Sequence, residues 1–403
     1  MAAAQGAKMT SKRVIRGLLA LLLGLSLART ATADEPNLDW LVLSETALAD
    51  WSLAPDDGEA ARRQYVSQWA ADAPLRYRLL ALMPKPSRSY GVALSKIMEV
   101  LAEKEIGAVI TAINFGNDAA LGKQALAWAE ANEADLIFSI GSDATAFVHG
   151  NYSGGKLPVV SAVSKDPVLM GQIDTYERGS GTNIAFTSLN MPMDTQIAYL
   201  RQVRPNLKNI GVLYDKRNQS AVVTQVAPLD EAAKGDDFQV LHVAVDGADA
   251  AIGDLKRAMP AAIEKMRESD PQLDGSVFWI TGSTAVFQNI ATVNQYAGNV
   301  PVISVLPNVV REGEDSAVLA IGVDERTNTH LATIYALEIL EGRANPGRLP
   351  VGRVTPPDIA INFRVARRIG LQLPFAFFES ATFVYDYDGK LVRSFGQNIG
   401  AGW

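Results

Sequence analysis

One segment of the chain has the composition of a phosphate-binding loop. The run Gly150-Asn-Tyr-Ser-Gly-Gly155-Lys156 combines glycines with a lysine, as in loops whose backbone amides and lysine hold nucleotide phosphates. However, Leu157 occupies the position of the Ser or Thr that would bind magnesium. The segment also precedes a predicted strand, whereas a phosphate loop follows a strand and opens a helix. We therefore interpret it as a surface turn, and we expect no nucleotide site there.

The residue types needed for metal or nucleophilic chemistry are scarce. The chain has no cysteine and three histidines, His149, His242 and His330, which are far apart in the sequence and lack the spacing of metal ligands. The carboxylate pairs Asp56-Asp57 and Asp236-Asp237 lie in polar, glycine-containing segments typical of solvated loops. We therefore expect no catalytic residue, no metal site and no cofactor, and we predict that the protein is not an enzyme.

The composition is that of a folded protein that does not bind nucleic acid. The 403 residues suffice for two or three domains, 48% of them are apolar, and the formal net charge is −7. Nucleic-acid binding requires a concentrated basic surface, which an acidic chain of this kind does not provide.

The first 33 residues have the pattern of a secretory signal peptide. A basic region with Lys8, Lys12 and Arg13 precedes the Leu-rich stretch 18–27, and the small-residue motif 31–33 precedes Asp34. We expect cleavage before Asp34 and release into the periplasm. Without this leader, 32 basic residues face 44 acidic ones, so the mature chain carries a charge of about −12.

From residue 77 onward, short apolar runs alternate with amphipathic stretches. This alternation is typical of βαβ units with parallel sheets, and ten strands are better divided between two sheets than placed in one. The predicted helices are Tyr90–Lys104, Ala119–Asn132, Met193–Val203, Thr284–Tyr296 and Asn328–Gly342. The predicted strands are Tyr77–Met83, Ala108–Asn114, Asp135–Ile140, Pro158–Val163, Asn183–Ser188, Asn209–Tyr214, Phe238–Val245, Gly275–Ile280, Pro301–Leu306 and Val318–Val323.

Two segments lie outside this alternation. Residues 34–73 are predicted to form a helical N-terminal extension, because Gly58–Trp69 contains helix-forming residues. Residues 375–403 are predicted to form a C-terminal extension with a hairpin whose turn contains Asp388-Gly389.

Small and polar residues follow most of the predicted strands. In open parallel sheets, ligands bind beyond the carboxyl ends of the strands, so these residues predict a cleft for a small polar group. About half of them are equally explained as ordinary helix caps. The segments concerned are Pro84–Tyr90, Asn114–Asn117, Gly141–Ala144, Ser161–Pro167, Tyr214–Ser220 and Thr281–Thr284.

Several of these segments together resemble the tryptophan/tyrosine-binding type of ABC-transporter substrate-binding protein, which is related to the type I periplasmic binding proteins. The resemblance covers roughly residues 77–374. It is carried by Asp135–Ser142, Pro158–Val163, Asp166-Pro167, Asn183, Pro205, Ile210–Tyr214, Asn218, Ser220, Leu319–Asp324, Asp358–Asn362 and Gly370–Pro374.

The resemblance implies an α/β fold with two Rossmann-like lobes, each with a parallel sheet, joined by a three-crossing hinge. It implies a first lobe of residues 74–187 plus 317–343 and a second lobe of residues 188–316 plus 344–374. The crossings would lie near Ser188, Ala317 and Arg343, and the lobes would close on a ligand.

The resemblance also implies a set of ligand contacts, to which the chain's own aromatic residues can be added. Tyr90, Phe115 and Tyr214 follow predicted strands and are candidates for an apolar part of the pocket. The contacts that the family implies are Ser142, Ala144, Ser161, Asp166, Asn218, Ser220, Thr281 and Ser283.

Two departures from the family pattern bear on the ligand. Ser164-Lys165-Asp166-Pro167 is one residue longer than the family's Thr-Asp-Pro, and Thr281–Thr284 lacks the acidic residue with which the family binds an ammonium group. An unpaired buried ammonium costs several kcal/mol, so this segment predicts weak binding of amino acids and tighter binding of a ligand with one polar end and an apolar body.

Three interpretations of function remain open. The first is a periplasmic solute-binding protein, a monomer that delivers a small organic ligand to an ABC permease or another inner-membrane partner. The second is a carrier of a lipid-like or sterol-like ligand, or the sensing partner of a membrane kinase, which the two extensions favour. The third is an exported enzyme, for which the chain offers no nucleophile and base pair.

Overall fold

The computed structural model describes residues 40–55, 58–71 and 76–399, with residues 70 and 71 described by their backbone alone. The predicted leader, its cleavage site and Asp56-Asp57 lie outside the described residues. Within these ranges, no helix combines the length and the apolar character needed to cross a bilayer.

The first sheet has seven strands in the order β1-β2-β4-β3-β5-β6-β7. Strand β2 pairs with β4 in an antiparallel arrangement. Strands β3, β5, β6 and β7 run parallel to β4. Its strands are β1 (Trp51–Leu53), β2 (Arg62–Ser67), β3 (Tyr77–Met83), β4 (Ala108–Asn114), β5 (Leu136–Ile140), β6 (Val159–Ala162) and β7 (Ile184–Ala185).

The remaining strands form a nine-stranded sheet and one short pair. The second sheet has the order β10-β9-β11-β12-β13-β15-β16-β17-β18, while β8 pairs in parallel with β14. These strands are β8 (Thr187–Ser188), β9 (Asn209–Asp215), β10 (Gln239–Val245), β11 (Ser276–Ile280), β12 (Val302–Ser304), β13 (Leu319–Gly322), β14 (Gly352–Arg353), β15 (Asp358–Asn362), β16 (Phe383–Tyr385), β17 (Leu391–Ser394) and β18 (Gln397–Asn398).

Helices cover the faces of the sheets. They are α1 (Glu45–Ala49), α2 (Arg88–Glu103), α3 (Ala119–Ala131), α4 (Ser142–Tyr152), α5 (Met193–Val203), α6 (Gln219–Ala221), α7 (Ala227–Ala233), α8 (Ala248–Ser269), α9 (Thr284–Phe287), α10 (Ile290–Ala297), α11 (Glu325–Leu340), α12 (Phe363–Arg368) and α13 (Phe375–Ser380). A π-helical turn, Val222–Val226, joins α6 to α7, and 3-10 turns occupy Gln68–Ala71, Pro307–Val309 and Pro346–Arg348.

The continuous apolar runs form strands because helices cover both faces of the sheet. In β3, Leu79, Ala81 and Met83 pack in one apolar cluster, while Leu80 and Leu82 pack in another on the opposite face. The second sheet has its own cluster, which includes Phe278 and Trp279 of β11. We call each sheet with its covering helices a lobe. Two lobes with parallel-dominated sheets confirm the predicted fold class.

The chain crosses between the lobes three times, and two of the predicted crossing points are wrong. The first crossing follows β8, between Leu189, which packs in the first-lobe cluster, and Met191, which packs against the second-lobe cluster. Strand β13 pairs with β12 and β15 of the second sheet, so residues 317–322 do not belong to the first lobe. The second crossing therefore lies at Val323-Asp324, after which α11 packs on the first lobe through Ala332 and Ala336.

The third crossing lies beyond β14 and not near Arg343. Residues 344–353 remain on the first lobe, because Gly181 donates a hydrogen bond to the carbonyl of Gly347 at 2.8 Å and Val351 donates one to the carbonyl of Tyr176 at 2.7 Å. The chain then enters the second lobe as β15. An apolar run in the sequence does not reveal which sheet it joins, and this explains the error at β13.

The two extensions complete the outer edges of the sheets. Residues 62–67 form strand β2 and not a helix, because they pair antiparallel with β4 from Arg62 opposite Ile113 onward. The predicted C-terminal hairpin is confirmed: β16 and β17 pair antiparallel, and Asp386 donates a backbone hydrogen bond to Lys390 across the turn at 2.9 Å.

Candidate functional site

A cleft of about 540 Å³ lies between the carboxyl ends of the two sheets. The first lobe contributes the loop after β3, the start of α4 and the loop after β6, and the second lobe contributes the loops after β9, β11 and β12. This is the location expected for ligands of parallel sheets, and the volume is in the range of small-molecule sites.

Four of the eleven predicted contact residues line this cleft. They are Tyr90, Ser142, Asn218 and Ser220. Tyr90 and Ser142 come from the first lobe, and Asn218 and Ser220 follow β9 of the second lobe. The hydroxyl of Ser220 donates a hydrogen bond to Oδ1 of Asn218 at 2.9 Å, so the two side chains are held together at the cleft wall.

Three predicted residues are buried inside the first lobe instead. The ring of Phe115 packs against Phe147 with 4.9 Å between the ring centroids, and Ala144 belongs to the same apolar cluster. Ser161 is fully buried, and its hydroxyl oxygen accepts a hydrogen bond from the backbone amide of Thr187 at 2.8 Å. These residues stabilise the lobe and do not line the cleft.

The carboxylate of Asp166 is likewise used within the first lobe. It accepts hydrogen bonds from the amides of Val168 at 2.9 Å and Leu169 at 3.1 Å, and from the hydroxyl of Tyr176 at 2.9 Å. Burial of the phenol, followed by the charge of the Asp166 carboxylate, raises the pKa of Tyr176 to about 12.

The last three predicted residues belong to the second lobe and also lie off the cleft wall. Thr281 donates a hydrogen bond to the carbonyl of Leu213 at 3.0 Å, and its hydroxyl lies 2.9 Å from that of Ser283. The hydroxyl of Tyr214 lies 3.3 Å from Nδ1 of His242. Within residues 281–284, Gly282 and Thr284 are the ones that line the cleft.

Lys165 is a cleft residue that the sequence analysis noted only as an insertion. Its side chain is 7% exposed, and its backbone amide donates a hydrogen bond to the hydroxyl of Ser142 at 3.0 Å. Nζ reaches across to the second lobe, where a Cβ placed on Gly282 would collide with it. Burial lowers the pKa of Lys165 to about 8, an effect that the charge of Glu325 opposes.

Glu325, the first residue of α11, is the second charged group that the sequence analysis missed. It is 7% exposed and lines the cleft. Burial raises the pKa of Glu325 to about 7, whereas a hydrogen bond from Ser89 opposes this rise. We call Lys165 and Glu325 the floor pair, because they are the most buried charged residues of the cleft.

The other charged residues of the cleft have partners at its rim. Nζ of Lys85 lies 3.2 Å from Oδ2 of Asp143, and both side chains are about half exposed. Nε of Arg217 lies 2.5 Å from Oδ1 of Asp246. In contrast, neither member of the floor pair forms an ion pair of 4 Å or less within the described part of the chain.

The expectation that the pocket lacks a partner for an ammonium group took account of residues 281–284 alone. Residues 281–284 are not acidic, but Glu325 reaches the same cleft from the helix that follows the second crossing. The apolar part of the wall includes Tyr90 and Phe287. Burial, followed by the charges of Asp143 and Glu325, raises the pKa of Tyr90, so this phenol remains neutral.

The other chemical candidates do not form sites. Residues 150–156 end helix α4 and lead into β6, so the phosphate-loop-like segment is a turn between a helix and a strand. Asp237 contacts Arg201 at 2.8 Å on the surface. Among the described residues, no three His, Asp or Glu side chains are arranged to hold a metal ion.

Two α/β lobes, three crossings and a cleft between the carboxyl ends of the sheets define the type I periplasmic-binding-protein fold. The model of the family described as "ABC transporter substrate binding protein" matches residues 87–384, and the chain belongs to this family. This is a family of substrate-binding proteins and not of enzymes.

Known proteins of this kind are similar over most of the chain. The chain is 22% identical over 244 residues to a tyrosine-binding protein of Clostridioides difficile, a match that covers 60% of this chain and 64% of that relative. Because this chain spans less than two thirds of that relative, the similarity is to part of it.

Solved structures share the fold. An ABC domain in complex with L-Trp from Streptococcus pneumoniae matches with a TM-score of 0.59 at 18% identity, covering 76% of this chain and 99% of that one. The ligand-free, open structure of a substrate-binding protein with adhesive properties from Clostridium difficile matches with a TM-score of 0.57 at 20% identity, covering 74% of this chain and 96% of that one.

Proposed function

We propose that this protein captures a small organic ligand in the cleft between its lobes and delivers it to an ABC importer. The observation that carries the proposal is the cleft itself, where polar loops from both lobes surround two buried charges. A ligand bound there contacts both lobes at once, so binding favours their closure.

The ligand that fits this cleft best is an amino acid with an apolar side chain. The floor pair offers one cation and one anion, and Tyr90 and Phe287 offer an apolar wall. The names of the relatives point the same way, since one is a tyrosine-binding protein and one holds L-Trp. A lipid-like ligand fits less well, because it would leave both buried charges without a partner.

The proposal places the mature protein in the periplasm as a monomer that binds no nucleic acid. The leader pattern of residues 1–33 supports the periplasmic location, and the acidic composition supports the absence of nucleic-acid binding. N-terminal sequencing of the exported protein should begin at Asp34, and an intact Met1 on a membrane-bound form would contradict the leader.

Titration calorimetry with L-tyrosine and L-tryptophan tests the binding step. Ala146 lines the cleft from the exposed face of α4, so Ala146→Trp should fill it and weaken binding at least tenfold. Gly150→Trp is the matched control, because Gly150 lies one turn further along α4 with open space around it. If neither amino acid binds, or if both variants bind as well as the parent protein, the proposed site is wrong.

Uptake by cells tests the delivery step. Deletion of the gene should reduce high-affinity uptake of the amino acid that binds. The Gly150→Trp protein should restore uptake, whereas the Ala146→Trp protein should not. Unchanged uptake in the deletion strain would show that the protein is not required for import and would favour a sensing role.

A further inference from the structure

The floor pair consists of two buried charged groups for which the described part of the chain provides no ion pair of 4 Å or less. Each side chain is 7% exposed, and each acts on the pKa of the other, so they lie in one electrostatic environment. A buried charge without an ion-pair partner is costly, and such groups are retained where a ligand supplies the partner.

The groups that face the pair include one hydrogen-bond donor, Ser89, and no close ion-pair partner. Glu325 faces Ser89 at the start of α2 and Lys165 after β6, and Asp324, the N-cap of α11, directly precedes it. Lys165 faces Glu325 and the backbone at Gly282. The other cleft acids lie at the rim, where Asp143 pairs with Lys85 and Asp215 accepts hydrogen bonds from the amides of Arg217 and Gly247.

We propose that Lys165 and Glu325 are the specificity-determining residues of the cleft, Lys165 binding the anionic group of a zwitterionic ligand and Glu325 its cationic group. The inference rests on the proposed function and assigns its charge recognition to two residues. Both are carried by first-lobe elements, the loop after β6 and the start of α11, so the first lobe holds the charged end of the ligand.

The position of Nζ of Lys165 adds a role in closure. Gly282 follows β11 of the second lobe, its amide donates a hydrogen bond to Oε1 of Gln225 at 2.8 Å, and its carbonyl accepts one from Asn218 at 3.3 Å. An anion bound to Nζ therefore lies against a loop that is fixed within the second lobe. Binding of the anion by Lys165 therefore also brings the ligand into contact with the Gly282 loop of the second lobe.

A set of three probes separates the two charges. L-tryptophan carries both charged groups, tryptamine lacks the carboxylate, and indole-3-propionate lacks the ammonium; L-tyrosine, tyramine and 3-(4-hydroxyphenyl)propionate form the equivalent set. Calorimetry of the full mature chain measures each dissociation constant. The parent protein should prefer the amino acid at least a hundredfold over both of its analogues.

The variants Lys165→Met and Glu325→Gln keep the side-chain volume and remove one charge each. In Lys165→Met, the dissociation constants of the amino acid and the amine should lie within about threefold of each other, while the acid analogue still binds poorly. In Glu325→Gln, the dissociation constants of the amino acid and the acid analogue should become similar, while the amine still binds poorly. Structural damage cannot produce this crossed pattern, because it weakens all three probes alike.

Each contrary result overturns a defined part of the account. If the parent protein binds the amino acid and the variants keep its discrimination or lose all three probes equally, the assignment of Lys165 and Glu325 is wrong and the proposed function stands. If the parent protein binds neither amino acid, both the proposed function and the assignment fail. Unfolding midpoints of the variants within a few degrees of the parent value show that the comparison is made on folded protein.

Discussion

Nη2 of Arg326 lies 2.6 Å from Oε2 of Glu99, and this ion pair joins the crossing helix α11 to α2 of the first lobe. Glu99 is 9% exposed and also accepts a hydrogen bond from Ser44 of the N-terminal extension at 3.4 Å. On its other side, the guanidinium of Arg326 lies 5.4 Å from the ring centroid of Phe395 in the C-terminal extension. Arg326 is therefore a point where both extensions meet the helix that carries Glu325.

Removing this carboxylate should destabilise the protein. Breaking a fully buried ion pair costs ~3–5 kcal/mol, and because Arg326 is about a third exposed we expect Glu99→Ala to lower the free energy of unfolding by about 2 kcal/mol. Urea denaturation measures the change. Glu268→Ala is the control, since the exposed Lys265–Glu268 pair should contribute less than about 1 kcal/mol. Equal losses of unfolding free energy in both variants would show that the Glu99 ion pair stabilises the protein no more than an exposed pair does.

The ligand-free protein should lose stability as the pH rises from about 4.5 to about 7. The pKa of Glu325 is raised from 4.5 to about 7, so over this window the folded state binds more protons than the unfolded state. Its stabilising contribution is present below pH 4.5 and is lost as the pH passes 7, at about 1.4 kcal/mol per pK unit. Asp324, whose pKa burial raises to about 6, adds to the same slope.

Denaturant titrations at several pH values measure this slope. Glu325→Gln should make it shallower, because the neutral amide does not titrate. Glu133→Gln is the control, because it makes the same substitution at a side chain that is 85% exposed. A Glu325→Gln protein with the slope of the parent would mean that Glu325 is solvated in the folded state.

Gly282→Ala should weaken ligand binding without unfolding the protein. A methyl group at this position collides with Nζ of Lys165, a flexible end that moves aside, so we expect a stability change below about 1 kcal/mol and an affinity loss of about tenfold. Gly150→Ala should bind normally and be stabilised by ~0.5–1 kcal/mol, because it lies in α4 with open space around it. Normal affinity in Gly282→Ala would argue against the role of Lys165.

Ligand binding should bring the two lobes closer together. The three crossings, after Ser188, at Val323-Asp324 and beyond Arg353, provide the short connections about which such a movement takes place. Small-angle X-ray scattering should give a smaller radius of gyration with saturating L-tyrosine or L-tryptophan than without it. The Ala146→Trp variant should show no such decrease, and an unchanged profile of the parent protein at saturation would contradict closure.

Most of the sheet strands could be predicted from the sequence, because a strand buried on both faces must be apolar along its whole length. The runs Tyr77–Met83 and Ala108–Asn114 are strands with those bounds. Strand β2 was missed, because Arg62–Ser67 lies next to the edge strand β1 and carries mostly polar residues whose pairing depends on β4. The lobe to which β13 belongs depends on the path of the chain, which local pattern does not encode.

The site was less predictable for a geometric reason. The sequence identifies the segment that follows a strand, but neighbouring residues of that segment point in different directions. Ser142 lines the cleft, whereas Ala144 is buried in the core. Gly282 and Thr284 line the cleft, whereas Thr281 and Ser283 are buried within the second lobe. Glu325 could not be found in this way, because it reaches the cleft only through the second crossing. The inserted Lys165 was the one visible signal.

The most direct test of the account is to identify the molecule that the natively purified protein carries. Mass spectrometry after denaturation of the exported protein should find close to one equivalent of a small zwitterionic molecule with an apolar side chain, and the Ala146→Trp protein purified in parallel should lack it. A lipid or sterol recovered in its place, or the same molecule recovered equally from both proteins, would contradict the assignment of the cleft as a site for a zwitterionic solute.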